Sequence, residues 1–378
     1  MNLKYGISDM GEINNNFELI FQTGSGEKVY RNKDSIIVKL PPNRNALTTS
    51  WINGGYHENL EAIFNHQIKS NDLNADDQKR LNISEYLKNT AIKLGLHPEK
   101  TSGLITSADM QNVAIFSEYF EDIEVTAIIT GGIAVNGGRA GDPASFYEKK
   151  SNFFELKPGT INTILIINAN LHESTLLRAV MTAVEAKTVA LQELMAPSKY
   201  STGIATGSGT DKISIISSLD CENVLTIAGK HSKLGELIAR CVIKATKAAL
   251  AKQTNLTPEF QRDMMVRLER FAVDEEMYWR IASSMEMITK ETFLENLHTF
   301  SKNSLVVATL SSILHILDEI EWNLIPEKIG KKTAISLMKT LPHNLKIDTS
   351  IFDEDILNEN DSILNNWIKI SSWCIIHG

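Results

Sequence analysis

"GTINTILIINANLHESTLLRAVMTAVEAKTVALQELM", residues 159–195, holds two periodicities in one stretch. Its first part is dense in Ile, Thr and Leu, side chains that pack well on a pleated surface. It predicts a buried strand over "GTINTILIINANL". After His172 the period becomes helical, with Glu173 and Ser174 placed to start a helix. Leu177, Val180, Met181, Val184, Thr188, Leu191 and Met195 then recur at spacings of three and four, predicting a stripe that lies on a sheet. A strand followed by a helix that covers it sets the fold class as α+β, a mixed sheet with packed helices.

Strand signals continue upstream. "KVYRNKDSIIVKLP" reads as a hairpin, and "RNALTTSWINGG" as a strand ending in paired glycines. Two helices are expected at "YHENLEAIFNHQI" (56–68) and "ISEYLKNTAIKLG" (83–95), the second stopped by Gly95 and Pro98. "SGLITSA", "NVAIFSEYF" and "IEVTAIITGG" are further strand candidates. Downstream come two short strands, "TGIAT" (202–206) and "DKISIIS" (211–217), and then a helix in "SKLGELIARCVIKATKAALAKQ". After Pro258 the strand signals stop, and "PEFQRDMMVRLERFAVDEEMYWRIASSM", "TFLENLHTF", "LVVATLSSILHILDEIEW" and "KTAISLMKTL" all read as helices. Three parts are expected: a polar lead-in over 1–23, an α/β domain over 24–256, and an all-α accessory domain over 257–378. The helical part carries Trp279, Trp322, Trp367 and Trp373, packing or dimer-interface material from which a homo-oligomer is one expectation.

The 378 residues, 43% hydrophobic and 22% charged, are enough for a sizeable core without metal or disulfide staples. A net charge of -8 without basic runs disfavours nucleic acid as a partner. The start lacks the basic-then-apolar pattern of a secretory signal. "SLVVATLSSILHIL" is too short and too rich in Ser and Thr to span a membrane. Cys221, Cys241 and Cys374 form no C-x-x-C pair. A cytoplasmic protein is expected. The sequence contains no G-x-x-x-x-G-K-[ST] loop, no G-x-G-x-x-G fingerprint, no H-E-x-x-H and no G-x-S-x-G elbow.

Chemistry is therefore sought in four polar, glycine-bearing segments: "NGG" (53–55), "TGGIAVNGGRAGDPA" (130–144), "GTIN" (159–162) and "ATGSGTD" (205–211). Each alone reads as a tight turn, but four in one domain predict a shared concave site. In the second, Gly137, Gly138 and Gly141 surround Asn136, an amide donor. Arg139 and Asp142 there form either an ion pair or a donor and an acceptor for a ligand. Glu185 and Lys187 stand about 200° apart on their helix at roughly 100° per residue, so they do not pair with each other. Each is either a solvated side chain or one aimed at the rim of the site. Asp211 is a turn cap or a base, and His231 a surface residue or a base. Thr160 and Thr210 are candidate nucleophiles with no base adjacent in sequence. Asn162 completes the "GTIN" set.

Taken in order, "ALTTSWINGG", "TGGIAVNGGRAGDPA", "GTINTILIINANL", "VMTAVEAKTVALQEL", "ATGSGTDKISI" and "AGKHSKLGELIARCV" resemble the adenosylcobinamide amidohydrolases of corrinoid salvage, over about residues 24–250. The family's N-x-x-R-A-G-D-P signature is kept from Asn136 to Pro143, with two glycines where small residues such as alanine are usual. The resemblance implies hydrolysis of the amide joining aminopropanol to the corrin side chain, giving adenosylcobyric acid for cobalamin synthesis. The expected partner is a corrinoid, the one cobalt being the substrate's own. Roles then expected from amide chemistry are an activated water with Asp211, Glu185 or His231 as base. Arg139 and the N–H groups of 137–141 would hold the oxyanion. Asn136, Gly137, Gly138, Gly141, Asp142, Thr160, Asn162, Lys187 and Thr210 would contact substrate. Three alternatives stay open: a corrinoid-binding or sensing module without chemistry, a self-processing hydrolase with an N-terminal Thr, and a metal-assisted site of Asp142, Asp211 and His231.

Overall fold

The computed structural model describes residues 17–69, 82–144 and 159–378. The chain divides into two compact units, one ending at Leu256 and the other Thr257–Gly378.

The first unit holds two main sheets. One has five strands in the order β1-β2-β3-β6-β7: β1 Glu18–Gln22, β2 Lys28–Arg31, β3 Ser35–Lys39, β6 Ala62–Gln67 and β7 Thr101–Thr106. The other has six in the order β5-β4-β14-β11-β9-β8: β4 Arg44–Thr48, β5 Gly55–His57, β8 Ala114–Phe120, β9 Ile123–Gly132, β11 Thr160–Ile167 and β14 Lys212–Ser218. Two short ladders add β10 (Gly137–Gly138) to β13 (Gly207–Ser208), and β12 (Asn170–Leu171) to β15 (Val224–Leu225). Both sheets are mixed. β6 and β7 run parallel through a connection that contains α1 (Ile83–Lys93), and β11 and β14 run parallel through one that contains α2 (Glu173–Glu193).

Strand period assigns the layers. Ile161, Leu165 and Ile167 of β11 pack with α2 and α3 (Lys233–Thr254), whereas Ile164 and Ile166 pack with Val38, Ile63 and Leu104 of the five-stranded sheet. That sheet's other face, with Ile37, Phe64 and Ile105, meets Leu87 and Ala91 of α1. The order is helix, sheet, sheet, helix. Every residue of β11 is buried because both faces of the strand are covered.

Four expectations are corrected. "YHENLEAIFNHQI" is not a helix but β5 and β6. Because β6 lies between β3 and β7 and is covered on both faces, its apolar run shows no alternation to read. "TGIAT" forms only a single bridge, Ile204 to Pro197. The stripe of α2 is turned around its axis. Leu177, Met181 and Val184 are exposed, while Leu176, Ala179, Ala183, Ala186, Ala190 and Leu191 are buried. Small side chains let α2 come close to α3 and the sheet, so the inward face is the alanine face. The polar lead-in also ends early, since Glu18–Gln22 is already a strand, and residues 1–16 lie outside the described residues.

The second unit is helical: α4 Met264–Leu268, α5 Glu275–Ala282, α6 Lys290–Phe300, α7 Ser304–Glu321, α8 Glu327–Lys339, α9 Leu341–Asn344 and α10 Ile363–His377. α10, which the sequence reading leaves unassigned, packs against α5, α6 and α8 and carries the wholly buried Trp367. Arg270 and Asp318 form a buried bidentate pair at 2.8 and 2.7 Å. No single described helix is long and apolar enough to cross a membrane; only α6 and α7 taken together, bent by 81°, pass by length and composition.

Candidate active site

The "TGGIAVNGGRAGDPA" loop leaves β9 and returns through the β10–β13 ladder. Its polar groups are spent on itself and on neighbouring segments. The N–H of Gly137 donates to Ile133 O (2.9 Å), that of Arg139 to Asp142 Oδ2 (2.8 Å) and that of Ala140 to Thr206 Oγ1 (2.9 Å). Of the N–H groups of 137–141 expected to hold an oxyanion, these three are engaged inside the protein instead. Asp142 also accepts from Ser198 Oγ at 2.6 Å. Burial would raise its pKa, but the Ser198 and Ser201 hydroxyls, the Arg139 N–H and the Arg139 charge together hold the carboxyl below its usual range. Asp142 anchors the loop. The Arg139 side chain is exposed and crosses Gly203, where an added Cβ would lie 2.6 Å from Arg139 Cδ. Gly138 faces the Tyr200 ring and Gly141 has φ +99°.

Asp211 forms the densest contact. Its Oδ1 accepts from the N–H of Ile161 (2.8 Å) and from Ser208 Oγ (2.6 Å). Its Oδ2 accepts from the N–H of Ser208 (3.0 Å) and pairs with Lys187. Two carboxylate oxygens offer about four lone-pair sites, and all are engaged, so Asp211 orients rather than takes protons. Gly207 makes room for the clamp: a Cβ there would lie 2.5 Å from Asp211 Oδ2 and 2.7 Å from Lys187 Nζ. Lys187 is thus mostly buried and paired with Asp211 rather than a solvated side chain.

Glu185 does not join it. On the opposite flank of α2 it is half exposed and bonds Lys230 at 2.7 Å, which holds its carboxyl below the usual range. His231 is exposed beside Lys230. Asp142, Asp211 and His231 do not gather either. Among the described residues no group of three or more His, Cys, Asp or Glu is placed to hold a metal ion.

What does gather lies between the two sheets, at the start of β11. Asn162 donates to Asn65 Oδ1 (2.8 Å) and to Ile105 O (2.9 Å), and Asn65 donates to Thr130 Oγ1 (2.7 Å). By the two-residue period Thr160 shares the face of Asn162. Lys212, paired with Asn162 in the parallel register, lies alongside. Three oxygens here are buried with no hydrogen-bond partner among the described residues: Asn136 Oδ1, Thr160 Oγ1 and Asn162 Oδ1. Buried polar atoms are seldom left so, and each calls for a reason. Gly159 is the hub. Its N–H donates to Ser107 Oγ (2.7 Å), and its carbonyl accepts from Asn136 Nδ2 and from Thr210 Oγ1 (3.1 Å).

Sequence reading missed Ser107, Asn65 and the pair Trp51–Lys212. The Lys212 ammonium sits 3.8 Å from the centre of the Trp51 ring, and burial pushes its pKa down. Trp51 stood in a quoted motif, but a solitary aromatic next to glycines gave no signal that a lysine 161 positions away would stack on it.

Two stacked sheets between helical layers, with unpartnered buried polar atoms at the start of β11, define an α+β protein with a built polar cluster. Comparison with known proteins places it. The family model of adenosylcobinamide amidohydrolase matches residues 20–258, and the chain belongs to that family. It is 35% identical over 186 residues to an uncharacterized protein of Methanocaldococcus jannaschii, covering 46% of this chain and 72% of that one. It is 29% identical over 211 residues to the adenosylcobinamide amidohydrolase of Methanosarcina mazei, covering 53% and 88%. A Pyrococcus horikoshii protein of known crystal structure aligns with 62% of this chain and 82% of its own, at 14% identity and a TM-score of 0.30. The helical unit lies beyond the family match, apart from its first two residues.

Proposed function

We propose that this protein hydrolyses the amide between aminopropanol and the corrin side chain of adenosylcobinamide, releasing adenosylcobyric acid. The observation that carries this reading is the set of unpartnered buried oxygens on Asn136, Thr160 and Asn162, inside the family-matched region. A corrinoid presents many side-chain amides, and acceptors left unpaired in the free protein suit their N–H groups. Amide hydrolysis needs a nucleophile, donors for the developing oxyanion and a proton for the leaving amine. The Thr160 hydroxyl and the amide of Asn136 supply the first two kinds of group, while Asp211 and Lys187 fix the strand that bears Thr160. The exposed Trp51 face beside Lys212 offers an apolar platform at the rim.

The test is incubation of the purified full-length protein with adenosylcobinamide, following aminopropanol by amine derivatisation and the corrinoid by chromatography. Release of both products in equal amounts supports the reading. A shifted corrin spectrum with no aminopropanol released would make the protein a corrinoid binder and overturn it.

A further inference from the structure

The peptide between Gly159 and Thr160 is held as if for reaction. Gly159 has φ +103°, and a Cβ on it would lie 2.6 Å from Asn136 Oδ1 and 2.8 Å from Gly132 O, so glycine alone fits. Its carbonyl oxygen accepts two side-chain donors, Asn136 Nδ2 and Thr210 Oγ1. Two fixed donors on one oxygen polarise the carbonyl and match the negative charge that a tetrahedral intermediate would place there. The bond is pinned on both sides: Gly159 N–H by Ser107 Oγ, and Ile161 N–H by Asp211 Oδ1. The residue that follows this carbonyl carries a buried hydroxyl with no partner, Thr160 Oγ1.

We propose that the protein cleaves its own chain between Gly159 and Thr160, and that the freed Thr160 is the nucleophile of the mature enzyme. In the first step Thr160 Oγ1 attacks the Gly159 carbonyl carbon through a five-membered ring. The C–N bond breaks, an ester forms between Gly159 and Thr160 Oγ1, and the hydroxyl proton passes to the Thr160 nitrogen. One water then hydrolyses the ester, leaving a Gly159 carboxylate, a restored hydroxyl and a free α-amine. That amine supplies the base that the sequence did not show next to Thr160, a known way of activating a threonine. Asn136 and Thr210 lose their bond to the Gly159 peptide carbonyl and meet the substrate carbonyl instead. Thr160 Oγ1 attacks that carbon, the aminopropanol nitrogen leaves with a proton, and water hydrolyses the resulting ester. This second use rests on the proposed function, whereas the cleavage itself does not.

The cleavage is read by denaturing mass spectrometry and N-terminal sequencing of the purified full chain after incubation at neutral pH. The expected result is two polypeptides, one ending at Gly159 and one beginning Thr-Ile-Asn, whose masses sum to the intact chain plus one water. Thr160→Ser retains cleavage and Thr160→Ala abolishes it. Asn136→Ala slows it by about a hundredfold, the usual cost of one oxyanion donor. Hydroxylamine accelerates it and leaves a hydroxamate on Gly159, the mark of the ester, so the result does not depend on how well Thr160→Ala folds. A wild-type chain that keeps its full mass overturns the proposal, as does equal cleavage in Thr160→Ala. A single intact chain that still releases aminopropanol refutes self-cleavage alone. A cleaved protein that releases none refutes the proposed substrate alone.

Discussion

Replacing Asp211 by Asn tests whether this carboxylate is the clamp of the site. Asn keeps one oxygen for the Ile161 N–H and the Ser208 hydroxyl but turns an NH2 group toward the Ser208 N–H and the Lys187 ammonium. The charge-assisted bond to Lys187 is worth about 1.5–3 kcal/mol, and an unmet buried N–H about 1–3 kcal/mol. With side-chain exposures of 12% for Lys187 and 15% for Asp211, solvent screens the pair only slightly. Donor-to-donor contact relaxes in part, so a net loss of about 3 kcal/mol is expected. For a unit of this size that lowers Tm by about 6–12 °C. Calorimetry at neutral pH is the assay. Adding Lys187→Met to Asp211→Asn removes the stranded ammonium and restores about 2 kcal/mol, a coupling that a double-mutant cycle reads directly. Turnover of adenosylcobinamide should fall more in kcat than in KM, because Asp211 fixes the strand of Thr160 rather than the substrate. A single-variant Tm within 2 °C of wild type, or a double variant no more stable than the single one, would refute the clamp.

Three further outcomes are expected. Gly207→Ala drives a methyl into the Lys187–Asp211 contact and lowers Tm by several degrees, measurable by the same calorimetry. Burial would raise the pKa of Glu27, but the Ser25 and Thr23 hydroxyls and Arg44 outweigh it, so its folded pKa lies below the ordinary 4.5. Its contribution to stability is therefore complete above that value and is lost as pH falls through the folded pKa. Denaturant titrations from pH 6 to 3 should show wild type losing more stability than Glu27→Gln does. In the helical unit Asp318→Ala removes the bidentate carboxylate from the buried Arg270 guanidinium, and equilibrium unfolding should show a loss of about 3–5 kcal/mol.

Much of the fold was legible because local pattern and tertiary demand agree. The strand and helix of residues 159–195, the β2–β3 hairpin and the strands at 123–132 and 212–218 lie where their side chains predict. Reading failed where burial has two sides. β6 is covered by α1 on one face and by the six-stranded sheet on the other, so its run "AIFN" carries neither alternation nor helical period. On α2, ranking side chains by size picked Leu177, Met181 and Val184, whereas the inward face needed alanines to admit α3. At the site, residue types were readable but their engagements were not. Asp142 and Asp211 look alike as free carboxylates in sequence, and only the folded chain shows both filled by neighbouring donors.

By itself the sequence determined the α+β class and the family, since these follow from period, composition and ordered motifs. Tertiary structure alone decided which partner each polar group has. Lys187 finds Asp211 across 24 residues because β11 and β14 run parallel with α2 laid beside them. Thr160 is left without a partner because the same register buries it between two sheets. A hydrogen bond depends on position to a few tenths of an ångström, and only the packed layers fix positions that finely.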